Sequence, residues 1–171
     1  MEKNEKTRKN RKTVLIVGIC IVLLAALLVT VAVLYPAFKA RSALKDITDK
    51  LSDGSVKGAT VYDPDAGKDL FNDGGIERIA NEDERARLSS LILKISDGAS
   101  YASRDAEDIF FDYDYRIRFR FESGESVGIF LTDGKFYVSN DGVRYFFAAG
   151  NESAYLELIS FANEIIKSET P

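Results

Sequence analysis

The sequence predicts an α+β protein with one N-terminal transmembrane helix, followed by a small domain in which a four-stranded antiparallel meander packs against helices. Three observations predict it. A basic N-terminal tail precedes 21 consecutive residues without a charge. Alternating apolar and polar residues, followed by two Asp-Gly pairs, are typical of β-hairpins. Helical periodicity on both sides of these strands supplies the apolar faces that would cover one side of a sheet.

The composition excludes most of the common active sites. The 171 residues contain no His, no Trp and one Cys, Cys20. A Ser-His-Asp triad, a Cys-His dyad and His-ligated zinc are therefore excluded. One Cys also excludes an intramolecular disulfide and any multi-Cys metal site. We expect a protein that is not an enzyme, with no catalytic residues, no cofactor and no metal.

The apolar run is predicted to be a membrane anchor. Residues 1–12 form a basic cytoplasmic tail with six Lys/Arg and two Glu. Residues 14–34 carry no charge, and as a helix they would be roughly 31 Å long, the thickness of a hydrocarbon core. We assign residues 13–36 to an uncleaved signal anchor whose residues 14–35 contact lipid. Cleavage after Ala32 is the alternative.

Two residues mark the expected far end of the anchor. The amphipathic ring of Tyr35 suits the membrane interface. Pro36 is expected to end the helix, since proline lacks the backbone N–H that the next turn needs.

Charge predicts the orientation. Basic residues are denser before the apolar run than after it, which favours a cytoplasmic N-terminus and an extracytoplasmic C-terminal domain in the cell membrane. Residues 37–171 contain 17 Lys/Arg and 25 Asp/Glu, a formal charge of −8. This acidic balance disfavours nucleic acid as a partner.

Residues 37–54 are predicted to form a juxtamembrane helix. Its apolar stripe consists of Ala40, Leu44, Ile47 and Leu51. The stripe can pack on the following domain or pair with the same helix of a second copy, and its narrowness favours the first. Residues 55–171 then form the extracytoplasmic α+β domain.

Two short strands and two helices accompany the meander. Residues 56–62 and 76–80 are expected to be strands, and Asn81 is expected to cap a helix with Glu84 at the capping-box position. Residues 151–167 place their large apolar side chains on one side and are expected to cover the sheet.

The meander is the most specific prediction. Two-residue turns at 133–134 and 141–142 and a three-residue loop at 122–124 set its registers. They pair Ile117 with Ile129, Ile129 with Val138, and Phe136 with Phe147. The three turns agree on one apolar face, whereas a slip of one residue would destroy that agreement.

The same registers predict a second face that can bind a ligand or a partner. One row across the strands holds Arg118, Gly128, Ser139 and Arg144, and the next holds Arg116, Phe130, Tyr137 and Phe146. Arginines beside aromatic rings suit a carboxylate or phosphate attached to a flat apolar group. A plain half-exposed sheet stabilised by cross-strand aromatics is the favoured explanation of the rows, followed by a face covered by the first helix or a second subunit, and a ligand or partner face is the third.

The acidic clusters predict no chemistry. Asp63, Asp65, Asp69 and Asp73 do not match a calcium loop, and ordinary turn chemistry explains them. Asp105, Glu107, Asp108, Asp112 and Asp114 offer paired carboxylates, but charges beside an edge strand also prevent edge-to-edge pairing. A Ser-Lys dyad from Ser89, Ser90 and Lys94 lacks a recognisable buried lysine.

Three segments carry a resemblance: the anchor at 14–35, VYDPDAGK at 61–68 and RIRFRFESGESVGIFLTDGKFYVS at 116–139. Together they resemble small bitopic membrane proteins of Gram-positive bacteria that carry an extracytoplasmic α+β domain of unknown function. The resemblance is one of architecture and transfers no functional residues.

We therefore expect a single-pass, non-catalytic binding, sensor or assembly protein of the cell envelope. Its partners would be membrane lipid, an envelope protein or cell-wall ligand, and a second copy through the sheet face or the juxtamembrane helix. A carboxylate-based envelope hydrolase and a structural subunit of a membrane complex are the alternatives.

Overall fold

A computed structural model of the protein describes residues 2–66, 75–102, 113–140 and 143–168. The chain divides into two compact units, Met1–Lys39 and Ala40–Pro171. The helices are α1 (Glu2–Ser52), α2 (Glu82–Ser96) and α3 (Glu152–Lys167). The strands are β1 (Val56–Asp63), β2 (Ile76–Ile79), β3 (Ser100–Ala102), β4 (Tyr115–Phe121), β5 (Ser126–Thr132), β6 (Lys135–Asn140) and β7 (Val143–Ala148).

The first unit consists of the N-terminal part of α1. Its large apolar side chains from Ile16 to Phe38 are exposed, as a lipid-facing surface requires. Among the described residues, one helix (Ile16–Ser52) is long and apolar enough to cross a membrane, and its most apolar window has a mean hydropathy of 3.1. The structure is therefore compatible with a single-pass membrane anchor.

The predicted helix end at Pro36 is wrong, because Pro36 lies inside α1. Proline removes one backbone hydrogen bond, the one to the carbonyl of Ala32, and its ring crowds that turn. The helix continues because good helix formers follow, among them Ala37, Lys39 and Ala40.

The second unit is α+β, with a single antiparallel sheet of seven strands in the order β2-β1-β4-β5-β6-β7-β3. The predicted four-stranded meander therefore does not match the sheet in detail. β1 pairs with β4 and brings β2 with it on one side. On the other side the three-residue strand β3, which was not predicted, pairs with β7.

The cross-strand pairs around the hairpins follow the predicted registers. Ile117 lies opposite Ile129, which in turn lies opposite Val138. Phe136 lies opposite Phe147. The turn at Asp133-Gly134 has positive φ at both positions, 28° and 72°, as a tight two-residue hairpin turn requires.

The three helices share one core with the inner face of the sheet. Both α2 and α3 begin at an Asn cap, and the reciprocal Asn81–Glu84 capping box forms in α2. The juxtamembrane stripe is buried in this core, so its apolar atoms pack on the domain of the same chain. The helical residues of the core include Ala40, Leu44, Ile47, Leu51, Leu88, Leu91, Ile92, Ile95, Leu158, Ala162, Ile165 and Ile166.

Candidate functional site

The opposite side of the sheet, here called the outer face, holds all seven residues predicted to face a ligand or partner. The pairings Arg118–Gly128, Gly128–Ser139 and Ser139–Arg144 form the first predicted row. The pairings Arg116–Phe130, Phe130–Tyr137 and Tyr137–Phe146 form the second. The outer face is not uniform, since one part is aromatic and buried and the other is basic and open.

The aromatic part is a chain of rings, here called the aromatic cluster, formed by Tyr62, Tyr113, Phe130, Tyr137 and Phe146. Successive ring centroids along it lie 6.5, 5.1, 4.4 and 5.0 Å apart. Tyr137 and Phe146 are only 5% and 7% exposed. Burial raises the pKa of the Tyr137 phenol to about 12, although the nearby Arg144 works in the opposite direction. This half of the predicted face is thus packed, and it offers a ligand little surface.

Arg116 belongs to the packing of the aromatic cluster. Its guanidinium lies over the Tyr62 ring, 4.6 Å from the centroid, and 3.7 Å from the Glu77 carboxylate. The same carboxylate oxygen of Glu77 accepts a hydrogen bond of 3.0 Å from the Thr60 hydroxyl. At the other end, the Arg144 guanidinium lies 5.7 Å from the centroid of Tyr137. Two of the three predicted arginines therefore contact aromatic rings of the same chain.

The open part contains a concave surface of about 340 Å³, here called the basic pocket. Three of its side chains are cationic and one, Glu77, is acidic. The side chains of Arg118 and Arg120 are exposed and form no hydrogen bond or ion pair within the part of the chain that the structure describes. The residues that line the basic pocket are Lys57, Gly58, Ala59, Thr60, Glu77, Ile79, Arg118 and Arg120.

Strand pairing determines which residues lie beside the two guanidinium groups. Arg118 and Arg120 alternate with buried Phe119 on β4, so both side chains point to the outer face about 7 Å apart. Their partners on β1 are Thr60 and Gly58, and those on β5 are Gly128 and Ser126. These four neighbours are small, but the Phe130 ring leans over Gly128, 3.1 Å from where a Cβ of residue 128 would stand. The open space beside the arginines is therefore on the β1 side, where a Cβ at Gly58 would meet no atom within 4 Å.

No family model, curated protein or solved structure matches this chain.

The structure separates two arginines that the sequence placed in one row. Arg118 lies on β4 and Arg144 on β7, three strands away, which is about 14 Å at the usual strand spacing. One small anion does not bridge them. Arg120, two residues from Arg118, is the arginine that shares the basic pocket.

Sequence reasoning missed Lys57, Thr60, Ile79 and Arg120 as candidate site residues. Arg120 carried a signal, because the alternation that places Arg116 and Arg118 on the outer face includes it too. Lys57 and Thr60 reach the pocket through the pairing of β1 with β4, which joins segments far apart in the chain, and Ile79 reaches it through the pairing of β2 with β1. No pattern within either segment predicts the pairing of β1 with β4.

The described acidic residues behave as turn residues. Asp63 Oδ1 accepts hydrogen bonds from the backbone N–H groups of Asp65 and Ala66, at 2.8 and 3.0 Å. Asp114 is exposed. The predicted carboxylates Asp69, Asp73, Asp105, Glu107, Asp108 and Asp112 lie outside the described residues. Within the described ranges, no group of three or more His, Cys, Asp or Glu side chains is placed to hold a metal ion.

The serines of α2 show no dyad geometry. Ser89 Oγ donates to the backbone carbonyl of Arg85 at 3.0 Å, as helix serines commonly do. Ser90 and Lys94 are exposed and line a shallow groove of about 650 Å³ beside the end of α1. Neither residue has the buried environment that activates a Ser-Lys pair.

Proposed function

We propose that this chain is a single-pass membrane protein whose extracytoplasmic domain binds a component of the cell envelope through the basic pocket, without catalysing a reaction on it. The apolar helix anchors the chain, and the basic tail keeps the N-terminus in the cytoplasm. The resulting arrangement presents a small, rigid α+β domain on the outer side of the membrane.

One observation carries the proposal: two exposed arginine side chains, unpaired among the residues that the structure describes, lie in a concave surface of an acidic domain. Residues 37–171 carry a formal charge of −8, yet the basic pocket has three cationic side chains against one carboxylate. That carboxylate, Glu77, is already engaged by Thr60 and Arg116. Local positive charge of this kind attracts an anionic partner and repels further acidic surface.

The lining favours binding over catalysis. It offers guanidinium and ammonium donors, which hold anions, and an exposed apolar side chain, Ile79. Its hydroxyl, on Thr60, donates to the Glu77 carboxylate of the neighbouring strand β2, a contact that links two strands of the pocket wall. Recognition of an anionic group next to an apolar one is the chemistry that these side chains support.

Photocrosslinking in intact cells tests the proposal with a matched pair of positions. Ile79 lines the basic pocket and Leu156 lies on α3, and both are apolar and exposed, at 83% and 62%. A photoreactive residue is placed at either position in the full chain. We expect a specific crosslinked product from position 79 and none from position 156. Equal yields at both positions, or no product at position 79, would contradict the proposal.

A further inference from the structure

We infer that the group recognised by the basic pocket is a phosphate ester, held between the Arg118 and Arg120 side chains, with the apolar part of the ligand against Ile79. This inference rests on the proposed function and names the ligand class of the same pocket.

The number and spacing of the cations favour phosphate over carboxylate. A carboxylate presents two oxygens in one plane, which a single guanidinium fork satisfies. A phosphate is tetrahedral and presents oxygens in several directions, so it accepts from two guanidinium groups at once. Arg118 and Arg120, about 7 Å apart on one side of β4, flank a position that such a group fits.

Charge balance leads to the same class. The lining carries three positive charges, from Lys57, Arg118 and Arg120, and one negative charge, from Glu77. The surplus is about two positive charges. A phosphate monoester carries about −1.5 to −2 at neutral pH, and a diester carries about −1, so either is compensated. A carboxylate also carries about −1, so charge favours the monoester, and the tetrahedral geometry separates a diester from a carboxylate.

The neighbours of the arginines leave room for the ligand. Gly58 lies opposite Arg120 on β1, and a Cβ there would meet no atom within 4 Å. On the other side, the Phe130 ring fills the space over Gly128, opposite Arg118, so the ligand has room on the β1 side. Ile79, in edge strand β2, is 83% exposed and borders the same pocket. An exposed isoleucine beside a cationic pocket provides an apolar contact for the organic substituent of the phosphate.

Titration calorimetry on the full chain in nanodiscs of zwitterionic lipid tests this inference. Phenyl phosphate, inorganic phosphate and benzoate are the probes. We expect phenyl phosphate to bind more tightly than inorganic phosphate, because only phenyl phosphate reaches Ile79, and benzoate to bind weakest. Equal affinity for phenyl phosphate and benzoate would overturn the phosphate assignment.

Charge-neutral variants locate the site. R118Q/R120Q removes two exposed charges without touching the core, and we expect it to weaken phenyl phosphate binding roughly 10- to 100-fold, since each charged hydrogen bond contributes substantially. The control K94Q/K167Q changes the net charge equally on the helical side and should leave affinity within about twofold. Ile79→Ser should weaken phenyl phosphate binding but not inorganic phosphate binding. Unchanged affinity in R118Q/R120Q would overturn the inference.

A second arm distinguishes a soluble phosphate ester from a lipid headgroup. If a lipid phosphate occupies the pocket, nanodiscs that contain phosphatidylglycerol will lower the apparent affinity for phenyl phosphate more than nanodiscs given the same negative charge by oleate, which has no phosphate. If the ligand is soluble, these two charge-matched disc compositions will give equal affinities. Both results support a phosphate site and identify its source.

The two proposals fail in different ways. A chain that crosslinks an envelope component at position 79 but does not prefer phenyl phosphate overturns the phosphate assignment alone. A chain that gives no crosslinked product at position 79 overturns the proposed function, whatever its affinity for phosphate.

Discussion

The rings of Phe130 and Tyr137 lie parallel across β5 and β6, with centroids 4.4 Å apart and planes inclined by 5°. This pair is the centre of the aromatic cluster, with Tyr113 on one side and Phe146 on the other. Aromatic stacking thus stabilises one half of the outer face and leaves the other half to the basic pocket. The division explains how one sheet face can be both well packed and open to a ligand.

A double-mutant cycle measures that stacking. Phe130→Leu and Tyr137→Leu each keep an apolar side chain but remove a ring. Chemical unfolding of the full chain in neutral detergent should give a coupling free energy of about 0.5–1.5 kcal/mol between the two changes. Strict additivity of the two single effects would show that the stacked geometry contributes nothing beyond buried area.

The Tyr137 phenol makes the free energy of unfolding depend on pH in the alkaline range. Burial raises the pKa of its phenol from 10.0 to about 12, so the folded state holds the proton more tightly than the unfolded chain. The stabilisation that this raised pKa gives to the folded state is complete below about pH 10 and is lost as the pH rises towards 12. Burial raises the pKa of Tyr155 to about 12 as well.

The check is the free energy of unfolding measured as a function of pH. The wild-type chain should lose stability between about pH 10 and 12, and Tyr137→Phe should lose less over the same range because it has no proton to release. Parallel curves for the two chains would mean that the Tyr137 phenol is not buried in the folded state.

The capping box at the start of α2 should be measurable. Asn81 Oδ1 accepts the backbone N–H of Glu84 at 2.9 Å, and the Glu84 carboxylate accepts the backbone N–H of Asn81 at 2.8 Å. Asn81→Ala should cost about 1 kcal/mol in the free energy of unfolding. Asn81→Ser, which retains a capping oxygen, should recover most of that loss. Equal stability of the Ala and Ser variants would contradict the capping role.

Alternation along β4 gives a sharp contrast between neighbours. Phe119 is fully buried and Arg120 is exposed. Phe119→Ala should lower the free energy of unfolding by about 3–5 kcal/mol through lost burial and a cavity. Arg120→Ala should change it by no more than about 0.5 kcal/mol. Comparable losses from the two changes would show that the register of β4 is wrong.

Local patterns predicted the parts of the fold that depend on neighbouring residues. Turn residues at Asp133-Gly134 set the β5–β6 register, because that turn type fixes which residues oppose each other. The capping-box residues Asn81 and Glu84 likewise predicted the start of α2 from a local pattern. The rows of the outer face followed from these registers, and three rings of the aromatic cluster, Phe130, Tyr137 and Phe146, were therefore predicted to share one row.

The parts that depend on distant segments could not be predicted. Val61 on β1 pairs with Ile117 on β4, more than 50 residues later in the chain. No pattern within either strand specifies the other as its partner. Without that pairing the basic pocket has no second wall, so Lys57 and Ile79 were not recognised. β3 has three residues, too few for a periodic signal. The predicted helix end at Pro36 failed for a different reason, since a long apolar helix can tolerate a proline in its interior.

The sidedness of the chain is the central claim, and cysteine labelling of intact cells tests it most directly. In a Cys20→Ser background, Thr7→Cys reports on the basic tail and Ser123→Cys on the exposed β4–β5 turn. A membrane-impermeant maleimide should modify the Ser123→Cys chain in intact cells, and the Thr7→Cys chain only after permeabilisation. Modification of the Thr7→Cys chain in intact cells, with Ser123→Cys protected, would contradict the account.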